Sequence, residues 1–373
     1  MSAAGTPEGP SMTDQTIRAP QTVTRERRPR SEGEEAYLEV TDLQVNFPTA
    51  DGLVKAVQGL SYSLPLRRTL AIVGESGSGK SVSSMAVMGL HDRASTRMSG
   101  SIKVGGQEIV GMSEEDLRKV RGAQAAMIFQ DPQSSLHPFF TIGDQIMESY
   151  RAHHKVSKRA ARARAIDMLG RVGIPNPSRR IDQYPHEFSG GMRQRAMIAM
   201  ALVNDPKLLI ADEPTTALDV TVQAQILDLI ADLQRDFGSA VVFITHDLGV
   251  VAEIADDILV MYAGNAVEHG PVEKILGTPL HPYTWGLLES IPAVSGNPGP
   301  LHPIPGTPPS LLAMPSGCAF HPRCEFRDRV PDDLCRTLRP ELVPRTADSG
   351  RTSRCHLKNP DQVFETDVLP RLP

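Results

Sequence analysis

The sequence contains no long uninterrupted apolar run, and this absence restricts where the protein can act. No stretch of the 373 residues approaches the roughly 18 consecutive apolar residues expected of a membrane-spanning helix. Residues 1–35 also lack the apolar core of a secretory signal. They are rich in Pro, Ser, Thr, Gly and charge, so we expect a disordered tail. We therefore predict a cytosolic chain without transmembrane segments.

Positive charge is not in excess either. The 39 Lys and Arg residues are outnumbered by 44 Asp and Glu residues, which gives a formal net charge of −5. This balance provides no general attraction to DNA or RNA, and we predict no nucleic-acid partner. Hydrophobic residues form 40% of the sequence and charged residues 22%, so a well-filled core is expected.

Cysteine is scarce, and its four copies lie close together in the sequence at Cys318, Cys324, Cys335 and Cys355. No C-x-x-C pair is present, so the common zinc-knuckle template does not apply. In a cytosolic protein we expect thiols or metal ligands and not disulfides. Four thiolates can hold either Zn²⁺ or a [4Fe–4S] cluster, and the spacing does not choose between them. Residues 287–373 are Pro-rich and aperiodic, so a metal would help to stabilise them.

The most informative stretch present is G-E-S-G-S-G-K-S at residues 74–81, which matches the P-loop pattern. An apolar run at 69–73 predicts a buried strand before it, and residues 81–90 predict a helix after it. Loop N–H groups and the helix N-terminus attract phosphate, Lys80 adds a charge for the β and γ phosphates, and Ser81 is a candidate Mg²⁺ ligand. The predicted phosphate-binding residues are Gly74, Ser76, Gly77, Ser78, Gly79, Lys80 and Ser81.

A second candidate anion site begins with Ser189, Gly190 and Gly191, ahead of a helical run at residues 196–203. Small residues at a helix N-terminus expose backbone N–H groups that can bind an anion. An ordinary helix cap would have the same composition. The sequence thus presents two phosphate-binding helix starts more than 100 residues apart.

Two acids follow the apolar run at residues 208–211. Asp212 and Glu213 are expected at the carboxyl end of a buried strand, the edge at which open α/β sheets bind ligands. Asp212 is a candidate Mg²⁺ ligand, and Glu213 is placed to polarise a water for attack on the γ-phosphate. Adjacent buried acids are costly unless a cation or polar ligand compensates them, which argues against a purely structural role.

Three further candidate site residues follow predicted strands or lie on them. Gln130 follows the apolar run at 125–129, and its side chain could coordinate Mg²⁺ or contact the attacking water. His246 follows the run at 240–245 and is a candidate γ-phosphate contact. Phe47 ends an alternating strand at 37–47, where stacking on an adenine ring and packing in the core are equally compatible with the pattern.

In this order and spacing, the motifs over about residues 37–270 resemble those of the ATP-binding subunit of an ABC transporter. The matching stretches are Walker A (74–81), the Q-loop (Gln130), the signature (189–191), Walker B with its glutamate (208–213), the D-loop (217–219) and the H-loop (His246). Phe188 and Met192 stand where the family signature has Leu and Gln. The resemblance implies an α/β fold: a P-loop ABC ATPase core with an antiparallel β subdomain, a helical subdomain and, here, a small irregular Cys-containing C-terminal extension.

The resemblance also explains the two phosphate sites, because such domains pair head to tail and the signature of one caps the nucleotide of the other. It implies that Glu213 is the general base, that His246 contacts the γ-phosphate, that Phe47 stacks on adenine and that Asp219 belongs to the shared interface. It implies ATP and Mg²⁺ as cofactors. The expected domains are 36–286, with the helical subdomain at about 135–200, and the extension at 287–373.

A narrower resemblance is to the oligopeptide/dipeptide importer branch of this family. It is carried by I-F-Q-D-P (128–132), G-G-M-R-Q-R (190–195), H-P-Y-T (281–284) and the cysteine-bearing tail. It implies ATP-driven uptake of peptides with two permeases, a second ATPase subunit and an external solute-binding protein, at the cytoplasmic face of the membrane. It favours [4Fe–4S] over zinc. The alternatives are nickel or another solute as cargo, and a soluble ABC ATPase acting on ribosomes or DNA.

Overall fold

The buried apolar runs form the centre of a mixed α/β structure. The computed structural model describes residues 34–216, 219–290, 302–345 and 350–372. The strands are β1 (Ala36–Thr49), β2 (Gly52–Pro65), β3 (Thr69–Val73), β4 (Arg97–Val104), β5 (Gln107–Glu108), β6 (Ala125–Ile128), β7 (Leu208–Asp212), β8 (Ala240–Ile244), β9 (Asp257–Tyr262), β10 (Asn265–Pro271), β11 (Val343–Pro344) and β12 (Thr352–Ser353).

Helices cover the larger sheet, and those that lie between β6 and β7 in the sequence form a separate layer. They are α1 (Lys80–Val87), α2 (Glu114–Val120), α3 (Pro132–Ser135), α4 (Ile142–His153), α5 (Lys158–Arg171), α6 (Pro177–Arg180), α7 (Gly190–Leu202), α8 (Val220–Phe237), α9 (Leu248–Ile254), α10 (Val272–Gly277), α11 (Pro282–Glu289), α12 (Leu334–Thr337) and α13 (Pro360–Val363). In the described part of the chain, no helix is long and apolar enough to cross a bilayer.

The larger sheet has the strand order β11-β12-β10-β9-β3-β8-β7-β6. Strands β9, β3, β8, β7 and β6 run parallel to one another, whereas β10 pairs with β9 in the antiparallel direction. Every residue of β3, β7, β8 and β9 is buried, which explains why these strands read as continuous apolar runs. Because the strands are parallel, the segments that follow β3, β6, β7 and β8 all emerge at one edge of the sheet.

The smaller sheet is antiparallel, with the order β2-β1-β4-β5. Strand β1 alternates buried and exposed residues, and Leu38, Val40, Leu43 and Val45 face inward. These side chains share one apolar cluster with residues of β3, α1 and the neighbouring parallel strands. Side chains of both sheets therefore bury each other, and β3 lies between two packed apolar clusters.

Helices α4, α5 and α7 pack into a second apolar cluster together with β6, β7 and α8. Polar side chains fix where these helices begin. The Thr141 hydroxyl accepts the Asp144 N–H at 3.1 Å, and the Ser157 hydroxyl accepts the Ala160 N–H at 3.2 Å. Such caps satisfy N–H groups that have no partner inside the helix.

The C-terminal part of the chain builds apolar contacts of its own. Trp285 and Phe326 meet edge to face, with ring centroids 4.9 Å apart, and Phe364 is fully buried beside them. Strand β12 also pairs with β10, where Glu268 lies opposite Ser353. Aromatic packing and added strands stabilise this segment. The metal that we expected to help stabilise it is contradicted, because the described residues contain no group of side chains arranged to hold one.

A buried carboxylate joins β10 to the start of α11. Glu268 has no exposed surface and accepts the Leu280 N–H at 2.6 Å, the His281 N–H at 3.1 Å and the Thr284 hydroxyl at 2.6 Å. Burial raises the pKa of this carboxyl from 4.5 to about 7, although the three hydrogen bonds oppose the shift. The folded protein thus retains a proton that the unfolded chain releases.

We expect this group to lower stability as pH rises from about 4.5 to about 7, because its folded pKa lies above its unfolded value. The loss should be complete above pH 7 and can reach about 3 kcal/mol. A Glu268→Gln variant, which cannot ionise, should lack this component. Urea unfolding of both proteins at pH 5 and pH 8 tests the prediction; an unchanged difference between them at the two pH values would contradict it.

Candidate active site

The loop after β3 requires glycine at several positions. Gly74, Gly77 and Gly79 have φ angles of 149°, 77° and 96°. A Cβ on Gly79 would lie 2.4 Å from the Ala56 carbonyl oxygen, and one on Gly74 would lie 2.1 Å from that of Met261. The backbone of residues 74–81 therefore forms a tight turn that side chains would prevent.

Lys80 lies inside this turn. Its ammonium donates to the Gly74 carbonyl at 2.8 Å and to the Glu75 carbonyl at 3.0 Å. Burial lowers the Lys80 pKa, while the nearby acids Glu213, Asp212 and Glu75 oppose that shift. The loop also buries the Ser78 hydroxyl, which has no hydrogen-bond partner among the described residues. A buried cation and a buried free hydroxyl within one glycine turn are suited to an anionic ligand.

Asp212 ends β7 directly beside the start of α1. Its Oδ1 accepts the Ser81 hydroxyl at 3.0 Å. Burial raises the Asp212 pKa and Glu213 adds to this, while the Ser81 hydrogen bond and the charge of Lys80 oppose it. Two oxygen-bearing side chains thus meet near one buried cation.

Glu213 is the centre of a polar cluster that contains three of the predicted residues. Its Oε2 accepts the Gln130 amide at 3.0 Å and the Thr216 hydroxyl at 2.9 Å. His246 Nδ1 lies 3.6 Å from Glu213 Oε1. The Glu213 N–H donates to the Ile244 carbonyl at 3.0 Å, so this carboxylate is fixed at both its backbone and its side chain.

The Glu213 backbone is unusual, since its φ is +46°. Left-handed backbone in a residue other than glycine is energetically unfavourable and concentrates at functional sites. Thr216, which orients the same carboxylate, was not identified from the sequence. The available signal was a hydroxyl three residues after the acid, too common a pattern to be specific.

The second predicted anion site lies at the start of α7. The Ser189 hydroxyl accepts the Met192 N–H at 3.3 Å, and Ser189 and Gly190 are exposed. Among the contacts described, none joins Ser189 to the loop after β3. The helix is instead tied to the segment after Glu213 by a buried hydrogen bond of 2.6 Å from the Gln194 amide to the Pro214 carbonyl. The Ser-Gly-Gly stretch therefore faces outward.

Two other predicted site residues, Phe47 and Asp219, make contacts outside the Glu213 cluster. Phe47 is half-buried and packs edge-on against His91, with centroids 5.6 Å apart at 75°. Asp219 caps α8 by accepting the Val222 N–H at 3.0 Å. The rest of the predicted D-loop, residues 217–218, is outside the described residues, as is most of the predicted N-terminal tail.

The prediction that the four cysteines hold a metal is wrong. Within the described ranges, no group of three or more His, Cys, Asp or Glu side chains is arranged to hold a metal ion. Neither an iron–sulfur cluster nor zinc is therefore supported at the four cysteines, which are all free thiols. Cys318 packs beside the β9 and α11 apolar cluster, Cys335 and Cys355 pack around Trp285, and Cys324 contacts both clusters.

All four thiols lie in apolar surroundings. Burial raises the pKa of all four, to about 11 for Cys335 and about 12 for Cys355. Repulsion between neighbouring thiolates adds to the rise, and burial in apolar surroundings makes a thiol less reactive. Clustering in the sequence thus reflects the packing of a small core.

Comparisons with known proteins agree with the geometry. Residues 57–216 match the family model of the ABC transporter, and residues 267–330 match that of the oligopeptide/dipeptide transporter C-terminal region. The oligopeptide transport ATP-binding protein OppD of Haemophilus influenzae is 53% identical over 320 residues, covering 86% of this chain and 97% of the relative. The dipeptide transport ATP-binding protein DppD of Bacillus subtilis is 51% identical over 336 residues, covering 90% and 98%.

A solved dimeric bacterial ABC transporter cassette, MJ0796, has a similar fold. Its TM-score is 0.57 at 24% identity, covering 63% of this chain and 98% of the cassette. The ABC ATPase fold predicted from the motifs is confirmed by this likeness and by the family match. The chain belongs to the ATP-binding subunits of ABC transporters, in the oligopeptide/dipeptide group.

Proposed function

We propose that this chain is the ATP-hydrolysing subunit that drives peptide uptake by an ABC importer. The observation that carries the proposal is the Glu213 cluster, in which Gln130, Thr216 and His246 surround one carboxylate at the sheet edge that also holds Lys80. The names of the relatives favour peptides over nickel or another solute as cargo. They do not favour a soluble ATPase that acts on ribosomes or DNA.

The nucleotide would lie across the loop after β3. Lys80 and the loop N–H groups would bind the β and γ phosphates, and Phe47 would stack on the adenine. Ser81, Asp212 and Gln130 would hold Mg²⁺, which favours oxygen ligands and is commonly bound by one or two carboxylates together with substrate phosphates. The hydrogen bond between Ser81 and Asp212 supports this fit, because it holds two possible oxygen ligands 3.0 Å apart.

Glu213 would orient or deprotonate the attacking water, with Gln130 and Thr216 fixing the carboxylate. His246 would bind the γ-phosphate; its side chain is 68% exposed and free to approach a ligand. Bound Mg²⁺ would neutralise charge that develops on the phosphates. The protein side chains themselves supply position and charge, which are the main requirements of phosphoryl transfer.

The site in one chain would be incomplete. Ser189 and Gly190 are exposed and Gly191 is half-buried in this chain. The stretch would therefore be available to cap the nucleotide of a second ATPase subunit, with Asp219 near the same interface. That subunit is either another copy or a related chain. Binding of ATP would then close the pair, and hydrolysis would open it.

Transport would require further subunits. We propose two permeases in the membrane, a solute-binding protein outside it, and attachment of this chain to the cytoplasmic face. Residues 36–286 would act as the ATPase domain, with residues 135–200 as its helical subdomain and 287–373 as an extension.

The signature stretch provides a clean test, because a Cβ on Gly190 would meet none of the described atoms within 4 Å. Gly190→Ala should therefore fold and bind ATP normally, yet obstruct the closed interface with the second subunit. In vesicles that contain the complete importer, we expect ATP hydrolysis and uptake of a labelled dipeptide to fall about tenfold or more, equivalent to about 1.4 kcal/mol.

Gly277→Ala is the matched control, since Gly277 is exposed and a Cβ there is also unobstructed. It should retain both activities. Normal dipeptide uptake by Gly190→Ala would contradict the shared site. Transport of Ni²⁺ but not of peptides by the wild-type importer would overturn the proposed cargo.

A further inference from the structure

The loop after β3 is attached to the C-terminal part of the chain through Glu75, which the proposed reaction does not use. Glu75 lies within the loop and accepts two hydrogen bonds from Arg323, 248 residues away: Nη1 to Oε2 at 2.7 Å and Nη2 to Oε1 at 3.0 Å. The arginine side chain is 5% exposed and the glutamate 29%. Such a shielded, two-point ion pair is geometrically specific and stronger than a surface pair.

Arg323 is itself held firmly. Its Nε donates to the Pro305 carbonyl at 2.8 Å, Nη2 donates to the Ile304 carbonyl at 3.3 Å, and Nη1 donates to the Tyr262 hydroxyl at 3.3 Å. The guanidinium also lies over the rings of Tyr262 and Phe320. The orientation of the guanidinium is thus determined by β9 and by the segment after residue 302.

Glu75 is fixed at its backbone as well. Its N–H donates to the Tyr283 hydroxyl at 2.8 Å, and its carbonyl accepts the Lys80 ammonium at 3.0 Å. Arg323, α11 and the phosphate-binding lysine therefore all meet at one residue. A change in the side-chain anchor would be transmitted directly to the carbonyl that positions Lys80.

We propose that Arg323 is a positioning residue for nucleotide binding. By holding Glu75, it lets the C-terminal region order the phosphate-binding loop before the nucleotide binds. A glycine-rich loop without this anchor would have to be ordered when the nucleotide binds, and the lost conformational freedom would weaken affinity. Lysine cannot replace the two-point contact, because its ammonium is a single point charge. The inference rests on the proposed role of residues 74–81.

The test compares full-length variants by their dissociation constants for MgATP and MgADP, and by the KM and kcat of the importer. Arg323→Gln should weaken both affinities and raise KM about fivefold or more, with a smaller change in kcat. Arg323→Lys should lie between Arg323→Gln and the wild type. Arg351→Gln is the control, because Arg351 is also nearly buried at 7% exposure in the same region but bonds to Thr278; it should leave affinity unchanged.

A double-mutant cycle distinguishes the effect of the Glu75–Arg323 contact from a general loss of stability. Once Arg323→Gln is present, adding Glu75→Gln should weaken nucleotide binding little further, because the two residues act through one contact. Additive effects, or wild-type affinity in Arg323→Gln, would overturn the inference while the wild type still binds nucleotide. A wild type that binds neither nucleotide would overturn the proposed function itself. If Arg323→Gln does not fold, Arg323→Lys and Glu75→Gln decide the question by the same affinities.

Discussion

Replacing Glu213 by glutamine should abolish ATP turnover and leave nucleotide binding unchanged. Glutamine keeps the length of the side chain and one oxygen that can accept from Gln130 or Thr216, the partners at 3.0 and 2.9 Å. It removes the negative charge that would polarise the attacking water. Since general-base catalysis contributes about 10²–10⁴-fold, the hydrolysis rate should fall by at least about 100-fold.

The variant should also accumulate in the closed, ATP-bound pair, because binding proceeds and hydrolysis does not. Size-exclusion chromatography with and without ATP measures this pairing, and phosphate release measures turnover. Glu253→Gln on α9 is a suitable control, since Glu253 is exposed and lies outside the Glu213 cluster. Wild-type hydrolysis by Glu213→Gln would contradict the assignment of the base.

The position of this cluster was predictable because it follows from strand direction. Apolar runs at β6, β7 and β8 predicted buried parallel strands, and parallel strands deliver the residues after them to one edge. Gln130, Glu213 and His246 meet there. The fold class was predicted from the resemblance of the ordered motifs to the ABC ATPase family, and the family match and the structural likeness confirm it.

Helix boundaries were less accurate. The sequence placed the helix after the signature at residues 196–203, but α7 begins at Gly190 because the Ser189 hydroxyl caps it. The end of α8 is set by a glycine: the helix extends to Phe237 and stops at Gly238, whose φ is +63°. Caps and glycine stops determine these ends, whereas apolar periodicity identifies only the middle of a helix.

Contacts between distant segments were not predictable from local pattern. Nothing in the sequence near Glu75 or Arg323 indicates that they pair, because the contact depends on how β9 and the C-terminal segment fold together. The cysteines gave a misleading signal for a related reason. Their proximity in sequence suggested ligands, but in space they pack into two apolar clusters, one around Trp285 and the other around β9 and α11.

Replacing Lys80 by methionine should nearly eliminate nucleotide binding. Methionine keeps an unbranched chain of similar volume in the buried turn, but it removes the positive charge and the hydrogen bonds to the Gly74 and Glu75 carbonyls. A hydrogen bond to a charged group contributes about 1.5–3 kcal/mol, and the phosphates would lose more than one such interaction, so affinity for MgATP should fall about 100-fold or more. Equilibrium titration with MgATP and MgADP measures the loss directly.

The acids around Lys80 make a second, independent outcome of the same substitution. Asp212, Glu213 and Glu75 are the charges that oppose the burial-induced fall of the Lys80 pKa, so removing the ammonium leaves like charges without their cation. The pKa of Asp212, already raised by burial, should rise further. Lys119→Met on the exposed face of α2 is the control and should change neither property. Unchanged MgATP affinity in Lys80→Met would show that the glycine turn binds phosphate without its lysine, and would remove the central cation from the proposed site.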